Sequence, residues 1–168
     1  ISYEISVFII GMLNNEYVLG AHGIAVNLTI AIFTIPLGNS YTMQTYMGNA
    51  VGQGSKYKAQ KFMTAGLTMN FILTTLNILV MLFYNHEIAA FFTNDEETMN
   101  ILKNILIIYS LTHMADTFAN HLGGILRIVG KEREVFTCYI FSYIIIAFNF
   151  QWFFGVLMNL GYVAVWIS

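Results

Sequence analysis

The chain has 168 residues, of which 57% are hydrophobic and only 10% are charged, with a formal net charge of −2. A soluble domain carries about 25% charged residues, so this composition argues against a soluble globular protein. The stretches 17–55, 62–86 and 135–168 contain no Lys, Arg, Asp or Glu, and each exceeds the roughly 20 residues that a membrane-spanning helix needs. We therefore predict an all-α integral membrane protein with several spans, and a very apolar soluble helical domain is the less favoured alternative.

The first half of the chain predicts a partial span followed by two complete ones. Ile1 is not an initiator Met and no signal peptide is visible, so we expect a fragment truncated within its first helix. Pro36 lies inside the second predicted helix, where it removes a backbone hydrogen bond and leaves a carbonyl for a neighbouring helix to satisfy. The glycine-rich segment 48–55 is expected to be a loop before the third helix.

The second half predicts two further spans and the start of another. Residues 86–92 are too short to span and are expected at the membrane interface. Thr93-Asn94-Asp95-Glu96 matches a capping box that would start the next helix, and that helix is expected to end near Gly123-Gly124. Within a single membrane domain over residues 1–168, the predicted spans are 1–13 (partial), 18–47, 58–84, 94–124, 135–158 and 162–168 (partial).

The basic residues predict the orientation of these spans. Six of the seven Lys and Arg lie in the segments Lys56–Lys61 and Arg127–Arg133, which alternation of the helices places on one side of the membrane. The opposite connections carry acidic residues instead. Cytoplasmic loops carry an excess of Lys and Arg, so loops 48–61 and 127–134 are predicted to be cytoplasmic.

Asp116 lies where a carboxylate is costly. If residues 94–124 form one helix, Asp116 is about 20 Å from Lys103 and about 16 Å from Arg127 along its axis, near the midplane of a hydrocarbon core roughly 30 Å thick. A polar stripe at helical spacing contains this acid, and its members are Tyr109, His113, Asp116, Asn120 and Gly123. Acid, imidazole and amide on one face predict a proton- or cation-handling site. The alternative is a structural carboxylate hydrogen-bonded to a neighbouring helix.

Glu4 is the second acid within a predicted span. About nine apolar residues separate it from the Asn14 turn, or about 14 Å of helix, which is half a hydrocarbon core. If the helix continues upstream, Glu4 also lies near the midplane. The alternative is a glutamate at a helix end whose carboxylate extends to the interface.

Other apparent motifs give no support for catalysis. Residues 52–55 lack the Gly-Lys-Ser/Thr of a phosphate loop, the histidines and the cysteine are not at metal-ligand spacing, and no catalytic triad order or pair of acids for hydrolysis is present. We expect no enzyme activity, metal or cofactor. His22 and His86 are expected to be solvated near helix ends, and Cys138 is expected to be a small buried residue.

Segments along the whole chain match one family at consistent spacing. They are Ser2-Tyr3-Glu4, Ile35-Pro36-Leu37-Gly38, Gly48-Asn49-Ala50-Val51-Gly52-Gln53-Gly54, Phe92-Thr93-Asn94-Asp95-Glu96, and Gly123-Gly124-Ile125-Leu126-Arg127 with Gly130 and Lys131. This set resembles the multidrug and toxic compound extrusion (MATE) transporters. The resemblance implies the second six-helix lobe of a twelve-helix transporter, from the seventh helix to the start of the twelfth.

The resemblance also implies functional residues. Glu4 corresponds to the family's seventh-helix glutamate, Asp116 stands where eukaryotic members often have a tenth-helix glutamate, and Asn27 stands where animal members have a further glutamate. Together with His113 and Asn120 of the polar stripe, these are the candidate coupling and substrate-binding residues.

Three positions depart from the family pattern. Tyr46 replaces the usual arginine before Gly48, Gln53 replaces a small residue, and Ile128 replaces a common glycine. These departures concern the loops more than the carboxylates.

The implied activity is efflux of small organic cations or other xenobiotics by alternating access, in exchange for protons or sodium ions. The implied partners are the substrate, the coupling ion, the lipid bilayer and a missing N-terminal lobe, with no nucleic acid. The implied location is the plasma membrane or a vacuolar or other endomembrane. Three alternatives stay open: a related lipid-linked oligosaccharide flippase, a multi-span receptor or channel, and a membrane-embedded enzyme.

Overall fold

The computed structural model describes residues 2–12, 15–158 and 160–167, with side chains from Ser6 onwards. Helices and short turns account for the described residues, and none of them forms a strand. The helices are α1 (Ser2–Met12), α2 (Glu16–Gly52), α3 (Lys56–Phe83), α4 (Asn85–Phe92), α5 (Glu96–Ile128), α6 (Glu132–Leu157) and α7 (Tyr162–Ile167). The prediction of an all-α fold is confirmed, and the assignment of residues 1–168 to a single membrane domain stays a prediction.

Three of these helices, α2, α3 and α6, are long and apolar enough to cross a membrane. α5 is also long, with 33 residues, but the polar side chains along it keep it outside that set. α5 packs most extensively against α2 and α3, so these two helices cover much of its surface. A helix that is polar on the faces it turns toward its neighbours fits inside a bundle better than against lipid.

α2 and α5 run in the same direction. Near their starts Thr98 lies against Gly20, and near their ends the side chain of Gln44 lies where a Cβ on Gly124 would be. α5 therefore continues past the glycine pair at which the sequence indicated its end, because those glycines provide close helix contacts rather than a terminus. The prediction of an ending near Gly123-Gly124 was wrong by about one helical turn.

Pro36 lies within α2, and α3 supplies the hydrogen bond that this proline removes. Proline has no N–H, so the carbonyl of Ile32, four residues earlier, loses its helical donor. The Asn77 side chain donates its Nδ2–H to that carbonyl at 3.2 Å. The expectation that a neighbouring helix satisfies the freed carbonyl is confirmed. Asn39, later in α2, bonds to Gly66, earlier in α3, so the two helices run antiparallel.

The start of α5 differs from the predicted capping box. Asp95 is the N-cap residue, and its carboxylate accepts a hydrogen bond from the Thr98 N–H at 2.8 Å. Thr93 instead accepts from the Asp95 N–H at 3.2 Å, so its hydroxyl is used in the turn before the cap. Asp95 rather than Thr93 caps the helix, because Asp95 lies closer to the first turn and its carboxylate reaches the N3 amide.

The glycine-rich loop predicted over 48–55 is mostly helical. α2 continues to Gly52, and the turn occupies only the residues between it and Lys56. Gly54 and Gly130 end α2 and α5 in the same way, each with a positive φ (70° and 80°) that a residue without Cβ adopts at little cost. The two basic segments therefore follow equivalent turns.

α6 is a peripheral helix with most of its side chains exposed. It becomes π-helical over Phe141–Ala147 and Gln151–Leu157. Cys138 lies on its exposed surface, so the prediction of a buried cysteine was wrong. Apolar periodicity alone did not separate the packed face of this helix from the face turned to the bilayer, since both are hydrophobic.

The contact between Asn77 and Pro36 gives a stability prediction. Asn77→Leu leaves the Ile32 carbonyl unpaired in the full-length protein, and we expect a loss of about 1–2 kcal/mol of stability. In a Pro36→Ala background the Ile32 carbonyl regains its helical donor, so Asn77→Leu is expected to cost much less there. Thermal unfolding of the four variants in detergent measures this coupling.

Asn149→Leu is the matched control, because the Asn149 side chain is exposed and bonds only within its own helix. Equal costs of Asn77→Leu with and without Pro36 would show that the bond to Ile32 contributes nothing.

Candidate functional site

The polar stripe of α5 passes from the core of the bundle to its surface. Tyr109 and His113 are buried, at 4% and 0% exposure, whereas Asn120 is half-buried and Asp116 is exposed. Asp116 makes no hydrogen bond or ion pair with any described residue. The alternative prediction was a structural carboxylate bonded to a neighbouring helix. Within the described part of the chain, no residue serves as that partner.

One end of the stripe packs against α7. The Tyr109 hydroxyl lies 3.0 Å from His113 Nδ1, and the Tyr109 ring packs nearly perpendicular to Trp166, with ring centres 6.1 Å apart. Trp166 in turn packs edge-on against His22 of α2 at 5.5 Å. Side chains from α2, α5 and α7 thus form one continuous row, His22–Trp166–Tyr109–His113.

His22 is buried, with 1% exposure, so the prediction of a solvated interfacial histidine was wrong. Among the described residues, neither ring nitrogen of His22 has a hydrogen-bond partner, and the same holds for His113 Nε2 and Trp166 Nε1. A buried polar atom without a partner costs about 1–3 kcal/mol. Packing among the described residues gives no account of these atoms, and sequence position alone could not show that α7 covers His22.

The other end of the stripe packs against α6. A Cβ on Gly123 would overlap the Tyr139 hydroxyl, so the absence of a side chain lets α6 approach α5 here. Asp116 is seven residues, about two helical turns, from both Tyr109 and Gly123. It therefore lies in a gap on α5 between the contact with α7 and the contact with α6, which we call the α6–α7 gap.

The remaining predicted residues are placed as follows. Asn120 lies one turn after Asp116, and its buried Oδ1 has no hydrogen-bond partner in the part of the chain that the structure describes. Asn27 is exposed on α2 and bonds to the Gly23 carbonyl of its own helix at 2.9 Å. Glu4 lies in α1, and its side chain is outside the described residues. The structure thus groups His113, Asp116 and Asn120, while the grouping of Glu4 and Asn27 with them stays a prediction.

No three His, Cys, Asp or Glu side chains in the described ranges lie close enough to hold a metal ion. An open cavity of about 580 Å³ lies away from Asp116, at the end of the bundle where α2 and α5 begin. Its lining includes Asn15, Glu16 and Glu97. The site around Asp116 is an open surface of this part of the chain rather than a closed pocket.

Comparison with known proteins places the chain among transporters. A family model described as MatE matches residues 1–153. Multidrug and toxin extrusion protein 1 of Homo sapiens is 28% identical over 132 residues, which cover 79% of this chain and 23% of that protein.

Two further relatives cover more of the chain. Multidrug and toxin extrusion protein 1 of Danio rerio is 26% identical over 167 residues, covering 99% of this chain and 28% of that protein. A protein named Probable multidrug resistance protein NorM, from Rhodopseudomonas palustris, is 27% identical over 154 residues, which cover 89% of this chain and 32% of that protein. The chain spans about a quarter to a third of the length of these relatives.

The exposure of Asp116 gives a labelling prediction for the full-length protein in a Cys138→Ser background. We expect a charged, water-soluble thiol reagent to label Asp116→Cys, because the α6–α7 gap should contain water. Thr117→Cys should be protected by burial (1% exposure), and Leu111→Cys, although 76% exposed, should be protected by hydrocarbon.

Membrane-soluble maleimide separates the remaining possibilities. Labelling of Asp116→Cys by that reagent alone would mean that position 116 faces lipid, and the site interpretation would then be wrong.

Proposed function

Because the chain belongs to the MatE family of transporters, we propose that it forms one lobe of a multidrug exporter that exchanges organic cations for protons. Membership of the family supports transport across a membrane, and the names of the relatives support xenobiotic substrates. The chain covers only part of those relatives, so the activity belongs to the whole protein. Two lobes that move against each other around a central site would give alternating access.

The exposed and unpaired Asp116 is the observation that supports this proposal most. A carboxylate at mid-helix is costly in a membrane and is tolerated where it faces a water-filled cavity. A carboxylate that serves structure has partners, whereas Asp116 has none among the described residues. Such an acid is available to a ligand or a proton.

Competition at this acid would couple the two movements. A carboxyl that opens alternately to two compartments of different pH can take up a proton from one side and release it to the other. The ionised form would attract an organic cation, and the protonated form would release it. A proton and a cation that exclude each other from one acid must move in opposite directions.

The surroundings of Asp116 favour a proton over sodium as the coupling ion. Hard metal cations are held by several oxygen ligands. On the described stripe the nearest potential ligands include the Asn120 amide oxygen and the His113 imidazole, and no acidic cluster accompanies them. A proton needs only the Asp116 carboxyl, whereas a metal cation would also need oxygen ligands from other residues such as Glu4.

Glu4 would be the second acid of the same site. Ile9 and Ile10 of α1 pack in the same buried cluster as Tyr109 and Trp166, which brings α1 beside the row that ends the polar stripe. α1 also packs against α2, α6 and α7. We propose that Glu4, one to two turns before these isoleucines, contributes to the cavity that Asp116 faces.

We also propose that the basic segments face the cytoplasm. A buried cluster of Met47, Ala50 and Ala59 packs with Ile125 and Ile128, so the ends of α2 and α5 lie together. The two basic segments therefore share one end of the bundle, and Glu16 and Glu97 line the cavity at the other. This arrangement supports the orientation that the positive-inside rule predicts.

A four-variant series tests the coupling site in the full-length protein: wild type, Asp116→Asn, Glu4→Gln and the double variant. Each variant removes a titratable group and keeps its shape, so we expect proton-driven uptake in vesicles to fall close to the level of protein-free vesicles in all three. Equal losses would support a shared site. Uptake driven by a sodium gradient instead of a pH gradient would show that the choice of proton was wrong.

Asp95→Asn and Glu87→Gln are the matched controls for the two substitutions. Asp95 and Glu87 are exposed acids at helix starts, and Asn preserves the cap at position 95. Partial losses that multiply in the double variant would indicate two independent sites. Wild-type uptake by Asp116→Asn at normal expression would remove Asp116 from the mechanism.

Single cysteines in a Cys138→Ser background test the orientation. In intact cells we expect an impermeant thiol reagent to label Glu97→Cys, and to label Lys58→Cys and Arg133→Cys only after permeabilisation. Labelling of either basic segment from outside would reverse the topology.

A further inference from the structure

A set of hydrogen bonds joins α5 to α2 and α3, buried around Thr117 and partly buried around Asn39. We call it the inter-helix network, and its members are Asn39, Gly66, Asn70, Thr74, Thr117 and His121. The Thr117 hydroxyl accepts from Thr74 Oγ1 at 3.1 Å and from Asn70 Nδ2 at 3.4 Å, and it donates to the Met114 carbonyl at 3.1 Å. These three side chains are at most 1% exposed, so the bonds lie where water does not compete for them.

His121 connects the network to α2 through two bonds on opposite sides of its ring. Its Nδ1 lies 2.9 Å from the Thr117 carbonyl, and a carbonyl only accepts, so Nδ1 carries the proton. Nε2 is then an acceptor, and Asn39 Nδ2 donates to it at 3.1 Å. The same Asn39 amide donates its second proton to the Gly66 carbonyl at 2.9 Å. One imidazole and one amide thus bridge α5, α2 and α3.

This arrangement differs from what the sequence indicated for His121. The predicted helix end near Gly123-Gly124 would place His121 within one turn of a terminus, but α5 continues to Ile128 and His121 is 1% exposed. The signal in the sequence was weak: Asn39 and Asn70 each interrupt an apolar predicted span, and only the packing of the helices pairs them with α5.

The network lies immediately beside the candidate site. Thr117 follows Asp116 in the chain, and His121 follows Asn120. Consecutive residues of an α-helix are 100° apart around its axis. The bonds that hold Thr117 and His121 toward α2 and α3 therefore determine the direction in which Asp116 and Asn120 point.

We propose that the inter-helix network fixes the rotation of α5 about its axis, and that His121 is a positioning residue that keeps Asp116 directed into the α6–α7 gap. The role of Asp116 in transport rests on the proposed function, but the rotation of α5 does not. His121 acts through geometry and touches neither substrate nor coupling ion. Loss of its bond to Asn39 removes the hydrogen bond of the network that joins α5 to α2, and the Thr117 bonds to α3 remain.

Two substitutions of His121 separate its two bonds. The side-chain amide of Asn reaches about as far as Nδ1, so His121→Asn keeps a donor for the Thr117 carbonyl and loses the acceptor for Asn39. The longer Gln places its amide oxygen about where Nε2 lies, so His121→Gln keeps the bond to α2. Asn39→Leu removes the same inter-helix bond from the other partner and serves as a second test if His121→Asn does not fold. His86→Asn is the matched control, because His86 is exposed on α4.

The first readout is the labelling rate of single cysteines at positions 116 and 110 in the full-length protein without its other cysteines. Ser110 is 2% exposed, lies two turns before Thr117 on the same face of α5, and is outside the network. We expect His121→Asn and Asn39→Leu to slow labelling of Asp116→Cys and to accelerate labelling of Ser110→Cys, each about 3- to 20-fold, the range for losing one inter-helix hydrogen bond in a membrane. His121→Gln should keep the wild-type ratio of the two rates, and so should His86→Asn.

The second readout is proton-driven uptake of tetraethylammonium by the same variants without added cysteines. A reduction in Vmax/KM by a similar factor in His121→Asn, with recovery in His121→Gln, is expected. A lower unfolding temperature with an unchanged ratio of labelling rates would show that the network only stabilises the bundle, and would overturn the positioning role. A changed labelling ratio, together with wild-type uptake by Asp116→Asn, would instead support the rotation of α5 and reject the proposed coupling site.

Discussion

The structure depends on one constraint, which is that polar groups inside a membrane bundle must find partners within the protein. α2 and α3 satisfy it where Asn77 bonds to the Ile32 carbonyl that Pro36 leaves without a donor. α5 satisfies it through Thr117 and His121, whose bonds reach both other helices. In lipid no hydrophobic effect draws helices together, so such contacts and close packing define which faces meet.

The candidate site is the place where this constraint is not met by the described residues. Within the described ranges Asp116 has no partner, and the ring nitrogens of His22 and the Nε1 of Trp166 are buried without one. Unsatisfied polar groups are costly in a bundle that otherwise pairs them carefully. In a transporter, groups left unpaired by the protein are available for a proton, a cation or water. The two sides of α5 differ in this respect, because one side carries paired polar groups and the other carries unpaired ones.

In the proposed mechanism the two sides of α5 have different roles. On one side, satisfied hydrogen bonds hold the helix against α2 and α3. About 100° away, the polar stripe carries Asp116 between the contacts with α6 and α7. A rigid support next to a functional side chain is the general requirement for a precise site, and here one residue step along the helix separates support from function.

The sequence by itself determined the helical membrane class, the polar stripe of α5 and the need for a partner near Pro36, because these follow from composition, helical periodicity and the chemistry of single residues. The resemblance of its motifs indicated the family, which the family model confirms. The tertiary structure alone decided that Asn77 is that partner, that His22 and His121 are buried, and that Cys138 is exposed. It also extended α2 and α5 beyond glycines that read as ends, and it moved the cap of α5 from Thr93 to Asp95. These features depend on which helix lies against which, and an apolar span has the same composition whether it faces lipid or protein.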